Sequence, residues 1–275
     1  MNTQFLNVPE GKIAYDVTGS GPLIVCAPGI GDLRGQYRFL APQMAAAGFR
    51  VATLDIRGHG ESSTGWKDYS VAGVGSDILA LINHLGGGPA VVVGHSMSAG
   101  AAVWAAAEGP DRVRALVLLG PAVHGQFGPF FRLLLAVMFA RPWGPALWAW
   151  YYDQLYPTRK PADWSAYLKA IRANLAQPGR MEALHQMMYA SKAASEERLE
   201  RVTVPTLVVM GSQDPDFKPP EAEARWVAER LHGTCHMVAG AGHYPHVEMP
   251  DVTIPLVLDF LKTFQPEARV AQTAR

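Results

Sequence analysis

Gly94-His95-Ser96-Met97-Ser98-Ala99-Gly100 is the stretch that decides the fold. The apolar run 90–94 in front of it has the composition of a short buried strand, and the alanine-rich run 98–108 behind it reads as a helix that stops at Gly109-Pro110. A serine at such a junction sits on a sharp strand-to-helix turn, which lifts its hydroxyl clear of the sheet. Small neighbours let strand and helix approach closely, and Gly94 and Ser98 are those neighbours. The spacing is Gly-x-Ser-x-small, with serine where a second glycine is usual. Taken alone, the stretch also reads as a helix capped by a serine.

The wider pattern decides between the two readings. Apolar runs at Leu23–Ala27, 50–55, 90–94 and Val113–Leu119 alternate with stretches of helical length, 36–47 and Val71–Leu85 among them. Such alternation predicts a parallel sheet with crossover helices. Gln4–Val8 and 12–17, parted by Pro9-Glu10-Gly11, predict an antiparallel hairpin at one edge of the sheet. From His124 to about Arg201 no strand-like run occurs, and aromatic residues are dense. This segment is expected to be a helical insertion. Strand character returns at 205–211 and 236–239, with a helix at 220–231 between them and a last one at 253–264. The expected organisation is a core domain of residues 1–123 and 202–265, a helical cap of 124–201 and a frayed tail of 266–275.

Asp214, in Gly211-Ser212-Gln213-Asp214-Pro215, directly follows the run 205–211, and His243, in Gly240-Ala241-Gly242-His243, follows the next one. Loops after parallel strands open on the same rim of a sheet, so Ser96, Asp214 and His243 are expected to meet there. In that constellation the imidazole takes the serine proton, the aspartate fixes its tautomer, and the amide of Met97 is one donor to a developing oxyanion. Asp216 rivals Asp214 for the acid, but also reads as a solvated turn residue. His246 and Glu248 beside His243 suggest a metal cluster, yet no third or fourth ligand and no H-E-x-x-H accompany them, so no metal is expected. No cofactor is expected either. Gly58 and Gly60 lack the spacing of a phosphate cradle and read as a turn.

Composition excludes several classes of function. Apolar residues make up 49% and charged residues 17%, enough for a large core and far from a disordered chain. Lys+Arg and Asp+Glu balance at 24 each, so no net field attracts nucleic acid or anionic lipid. The expected partners are a small-molecule ester substrate and a second copy of the chain as a homodimer; nucleic acid and stable membrane insertion are not expected. Cys26 and Cys235 both lie in apolar runs and read as free thiols. The N-terminus lacks a basic start and an apolar middle, which makes a cytoplasmic location the expectation. The lipophilic run 130–140 is shorter than the roughly 20 residues of a spanning helix and is expected to be a buried cap helix.

With these residues in register, the chain resembles the α/β-hydrolases of the single-domain, capped kind, which include esterases, cofactor-free haloperoxidases and carbon–carbon bond hydrolases. Asp55-Ile56-Arg57-Gly58-His59-Gly60-Glu61-Ser62 matches that family's D-x-R-G-x-G-x-S turn, and Gly242-His243-Tyr244-Pro245-His246-Val247-Glu248-Met249-Pro250 matches its G-H-x-x-x-x-E-x-P signature. The resemblance implies an α/β fold with a mostly parallel sheet, helices on both faces and a helical cap after the sixth strand. It implies the chain order Ser96, Asp214, His243, and it favours Asp214 over Asp216. It also places the second oxyanion donor in Ala27-Pro28-Gly29-Ile30-Gly31, at Ile30 or Gly29, with Pro28 where the family commonly has histidine. That proline removes a side-chain hydrogen bond from the support of the hole. Trp143, Trp148, Tyr152 and His95 are candidate substrate-binding residues, Trp150 and Tyr151 lie in the same aromatic stretch, and about half of the cap aromatics are expected to line a pocket, on helical geometry alone.

The leading expectation is a hydrolase of small hydrophobic or aromatic carboxylic esters that works through an acyl-enzyme on Ser96. Carbon–carbon cleavage or perhydrolysis would use the same residues. The former wants a basic residue for a substrate carboxylate, for which Arg34, Arg132, Arg141 and Arg159 are candidates. A ligand-sensing receptor on the same scaffold is the alternative from another class. Dehalogenase and epoxide hydrolase chemistry use an aspartate where this chain has Ser96.

Overall fold

The computed structural model describes residues 3–125, 128–140 and 142–265. Eight strands form one sheet: β1 (Gln4–Val8), β2 (Gly11–Thr18), β3 (Leu23–Ala27), β4 (Arg50–Leu54), β5 (Ala90–His95), β6 (Val113–Leu119), β7 (Thr206–Gly211) and β8 (Thr234–Val238). Their spatial order is β1-β2-β4-β3-β5-β6-β7-β8. The β1–β2 hairpin pairs antiparallel with itself and with β4, and every other pairing is parallel.

The inner strands read as unbroken apolar runs because they are covered on both faces. In β3, Leu23, Val25 and Ala27 join the cluster packed under α2 (Val71–Leu85) and α3 (Met97–Glu108), while Ile24 and Cys26 face the opposite cluster with Leu40 and Met44 of α1 (Leu40–Ala46). Cys26 is fully buried there, and three strands separate it from Cys235 on the edge strand β8.

The helical insertion follows β6: α4 (Pro129–Met138), α5 (Gly144–Gln154), α6 (Trp164–Leu175), α7 (Arg180–Tyr189) and the short α8 (Ala193–Glu196). Its apolar faces form a third cluster, with Trp148, Tyr152, Tyr156, Ile171 and Leu184 packed on Tyr244 and Val247 of the main body. The chain then completes the sheet, with α9 (Pro220–Arg230) between β7 and β8, and α10 (Pro245–Glu248) and α11 (Pro250–Lys262) after it.

The expected buried helix over 130–140 is amphipathic instead. Leu135 and Phe139 are buried, but Leu133, Leu134 and Val137 stand exposed, because none of the described residues covers that side of α4. Helix 36–47 is also two pieces, a 3-10 turn at Arg34–Tyr37 and α1, and the expected tail 266–275 lies outside the described residues. Among the described residues no helix is long and apolar enough to cross a membrane.

Strand order places the site. After β3 the chain moves to β4 on one side and then to β5 on the other, so the loops leaving β3 and β5 part company at their C-terminal ends and open a crevice. Ala27 pairs with Gly94 across that point, which sets the loop Pro28-Gly29-Ile30 beside Ser96.

Candidate active site

Ser96 directly precedes α3 with φ +53° and ψ −123°, a strained region for any residue with a Cβ. The strain is held from both sides: its amide donates to Leu119 O at 3.0 Å, and its carbonyl accepts from Ala122 N at 3.1 Å. Gly94 is required at the foot of the turn, since a Cβ there would lie 2.4 Å from Ser98 O. The side chain of Ser96 makes no capping bond, so the serine is a turn residue with a free hydroxyl rather than a helix N-cap.

His243 is buried. Its Nδ1 donates to Asp214 Oδ2 at 2.7 Å. Its amide donates to Leu155 O of the cap at 3.0 Å, and its carbonyl accepts from His95 Nε2 at 2.9 Å. Both ends of the residue are thereby fixed, one from the inserted helices and one from the strand that carries Ser96. Asp214 Oδ1 accepts from Asp216 N at 3.0 Å, which orients the carboxylate. Burial pulls the imidazole of His243 toward the neutral form, but the carboxylates of Asp214 and Asp216 outweigh it and raise its pKa to about 9.

The backbone amides of Met97 and Ile30, near Ser96, have no hydrogen-bond partner among the described residues. Their neighbours are spoken for: Gly29 N donates to Gln36 Oε1 at 3.2 Å and Gly31 N to His59 Nε2 at 2.9 Å. The amide of Gly29 is thus committed to holding the loop. Two departures in the sequence meet here. Ser98, in place of glycine, donates its hydroxyl to the carbonyl of Pro28, the residue in place of histidine, at 2.5 Å.

A buried network supports this loop from behind. Gln36 Nε2 lies 2.9 Å from His246 Nε2, and burial depresses the pKa of His246 to about 3. His59 donates from Nδ1 to Arg57 O, and burial lowers its pKa to about 4, which keeps Nε2 free to accept from Gly31. Asp32 is fully buried and accepts from Tyr167 at 2.6 Å, from Leu33 N at 2.7 Å and from Tyr152 at 2.9 Å. Burial raises its pKa to about 6 against those three bonds.

The expected substrate-binding side chains have other partners. Trp148 is buried and donates to Gly31 O at 3.1 Å, and Tyr152 holds Asp32. Trp143 is 53% exposed and bonds back to Val137 O, on the outside of the cap. His95 is fully buried beneath the site, and burial together with His243 and His246 keeps it neutral. Trp148 and Tyr152 therefore brace the loop after β3, His95 Nε2 holds the carbonyl of His243, and Trp143 stands away from the site. Trp150 is also exposed, and Tyr151 turns to the acid loop, where it bonds Asp216.

The metal reading of His246 and Glu248 dissolves in the same way. Glu248 accepts from Gly242, Thr158 and Arg159 amides at 2.6, 2.7 and 2.9 Å, tying the histidine loop to the cap. Asp214, Asp216 and His243 bring potential ligand atoms within 4.8 Å of one another, but the bond from Nδ1 to Asp214 already uses two of these groups. A cavity of about 670 Å³ lies apart from Ser96 and His243, between the 3-10 turn and α6, lined by Arg34, Arg38, Tyr167 and Asn174 among others.

Sequence reasoning missed Asp32, Gln36 and the location of Asp216. Asp32 had one signal, a lone acid in an otherwise uncharged loop after β3; Gln36 bonds Gly29 seven residues away but also reaches His246 across 210 residues of chain, a link no spacing rule reports.

Comparison with known proteins places this architecture. Residues 22–250 match the α/β-hydrolase fold family. A monoacylglycerol lipase of Mycolicibacterium smegmatis is 29% identical over 268 residues, covering 93% of both chains. Among solved structures, a bromoperoxidase from Bacillus anthracis superposes with a TM-score of 0.83 at 20% identity, over 95% of this chain and 100% of that one. An esterase from Exiguobacterium antarcticum does so at 0.82 and 18% identity, over 94% and 98%. These two show the fold alone. With the family match spanning the sheet from β3 to the loop after His243, the chain belongs to the α/β-hydrolase fold family and is a hydrolase.

Proposed function

We propose that this hydrolase is a serine esterase that cleaves small hydrophobic or aromatic carboxylic esters through an acyl-enzyme on Ser96. The observation that carries this is the strained, uncapped Ser96 beside two amides without partners, with His243 fixed by Asp214 on the same rim.

In this reading His243 Nε2 takes the proton from Ser96 Oγ as the oxygen attacks the ester carbonyl. The oxyanion forms against the amides of Met97 and Ile30, each such donor being worth about 2.7–4 kcal/mol in comparable enzymes. The imidazolium returns its proton to the departing alkoxide, leaving an acyl group on Ser96 and a free alcohol. Water, deprotonated by the same histidine, then releases the acid. The similarity to the M. smegmatis protein named a monoacylglycerol lipase supports an ester as the substrate class.

Two observations weigh against carbon–carbon cleavage of an acidic substrate. Arg34 is engaged by Asp16, Asp55 and Glu61, and Arg159 pairs with Asp251, so neither offers a cation to a substrate carboxylate. The side chain of Arg132 and the whole of Arg141 lie outside the described residues.

Reaction with a fluorophosphonate probe, followed by hydrolysis of p-nitrophenyl esters of graded acyl length, tests the assignment. The expected results are an adduct on Ser96 and a loss of about 10³-fold or more in Ser96→Ala. No adduct together with full esterase activity in Ser96→Ala would sink it. Tight binding of one ligand with negligible turnover of every ester would favour a receptor.

A further inference from the structure

The carboxylate of Asp216 has no part in the scheme above, yet its Oδ2 lies 3.7 Å from His243 Nε2, while Asp214 holds Nδ1 at 2.7 Å. The imidazole thus has an acid at each of its two nitrogens. Asp216 is fixed from two directions. Its amide is bound by Asp214 Oδ1, and its Oδ1 accepts the hydroxyl of Tyr151 from helix α5 of the cap. Ser96 Oγ has no hydrogen-bond partner among the described residues, so the charged neighbour of Nε2 at rest is Asp216.

We propose that Asp216 is a positioning residue for His243: with Tyr151 holding it from the cap, its carboxylate draws the Nε2 edge of the ring and stabilises the imidazolium. The inference rests on the reading of His243 as the general base.

An opposite charge within about 4–6 Å favours the ionised form of its neighbour by about 1–3 pH units. The other groups around the ring do not supply that charge on the Nε2 side. His95 and His246 are kept neutral by burial, and Tyr244 and Phe217 pack their rings against it. Lys192 approaches Asp216 from the cap and works against the effect, and Asp214 acts at Nδ1. Asp216 therefore supplies the negative charge on the nucleophile side. The consequence for turnover is that His243 accepts a proton from Ser96 only after losing the one that Asp216 stabilises, which moves the working range toward alkaline pH.

The experiment is an NMR titration of the histidine imidazole nitrogens in the full chain, with the His243 signal identified by its loss in His243→Ala. Asp216→Asn should lower the His243 midpoint by about one unit or more, and Asp216→Glu should restore part of that shift. The acid limb of kcat/KM on p-nitrophenyl butyrate should move in the same direction. An unmoved midpoint in Asp216→Asn overturns the proposal, as does a loss of activity at every pH with the limb in place. The midpoint is read without turnover. Hydrolysis that survives in His243→Ala would instead remove the assignment of the base, leaving the Asp216–His243 pairing to be decided by the titration.

Discussion

The hydroxyl of Ser98 donates to the carbonyl oxygen of Pro28, so the second residue of α3 is pinned to the loop that carries Ile30. Each residue alone is a departure from the family pattern, and together they form one tether. A buried hydrogen bond of this kind is worth about 1 kcal/mol net. Ser98→Ala is expected to lower kcat about fivefold with little change in KM, because the loop loses its fixed distance to Ser96 while the rest of the site stays in place. Steady-state kinetics on a short p-nitrophenyl ester check this, and an unchanged kcat would show that the loop holds its position unaided.

Gly94→Ala should fail for a steric reason. The new Cβ would sit 2.4 Å from Ser98 O, a backbone atom that cannot swing away. A loss of about 1–3 kcal/mol in urea unfolding is expected, together with lost activity as the elbow opens. A variant of wild-type stability would contradict the close approach.

Asp32 sets a pH dependence of one sign. Its pKa is raised from 3.8 to about 6 in the folded protein, so the stability it allows is fully present below the unfolded value and is lost as pH rises through about 6. A rise of about two units corresponds to about 3 kcal/mol. Asp32→Asn, which cannot ionise, should therefore gain on the wild type by up to that amount between pH 4 and pH 7. Urea unfolding of both proteins at the two pH values decides it; a difference that stays flat with pH would refute the linkage.

His59 acts with the opposite sign on the same loop. Its pKa falls from 6.5 to about 4 on folding, so its contribution is present above 6.5 and is lost as pH drops through about 4. Protonated at Nε2, it can no longer accept from Gly31. His59→Gln keeps an acceptor and a donor but does not titrate. It should make the fall in stability between pH 6.5 and pH 4 shallower by about 3 kcal/mol, as followed by thermal melts across that range.

The frame was legible wherever the chain speaks locally. Leu23–Ala27 and Val113–Leu119 are strands over the expected residues, because strands covered on both faces carry no polar interruption. The final helix starts at Pro250 rather than at 253, since proline suits the first turn of a helix and Met249 before it has a non-helical backbone. The expected helix over 36–47 divides because Gln36 and Tyr37 serve the loop after β3, with the Tyr37 hydroxyl donating to Ala27 O at 2.7 Å. No periodicity reports such an obligation. The same limit applies at the site: the positions of Ser96, Asp214 and His243 follow from strand ends, whereas Tyr152 reaches Asp32 across 120 residues of chain and Ser98 reaches Pro28 across 70. Hydropathy says that a tyrosine of the cap is buried; it does not say which carboxylate waits for it.

That last contact governs how the molecule can be re-engineered. Trp148, Tyr152 and Tyr167 all end on the three-residue segment Gly31-Asp32-Leu33, so one buried carboxylate and its neighbours gather three of the ties between cap and body. A chimera that carries the helices of a relative over this sheet would strand Asp32 without its two phenols, while a transplant of this cap elsewhere would leave those phenols facing no acceptor. The natural unit of exchange is therefore the insertion together with the β3 loop, two pieces of sequence that must travel as one.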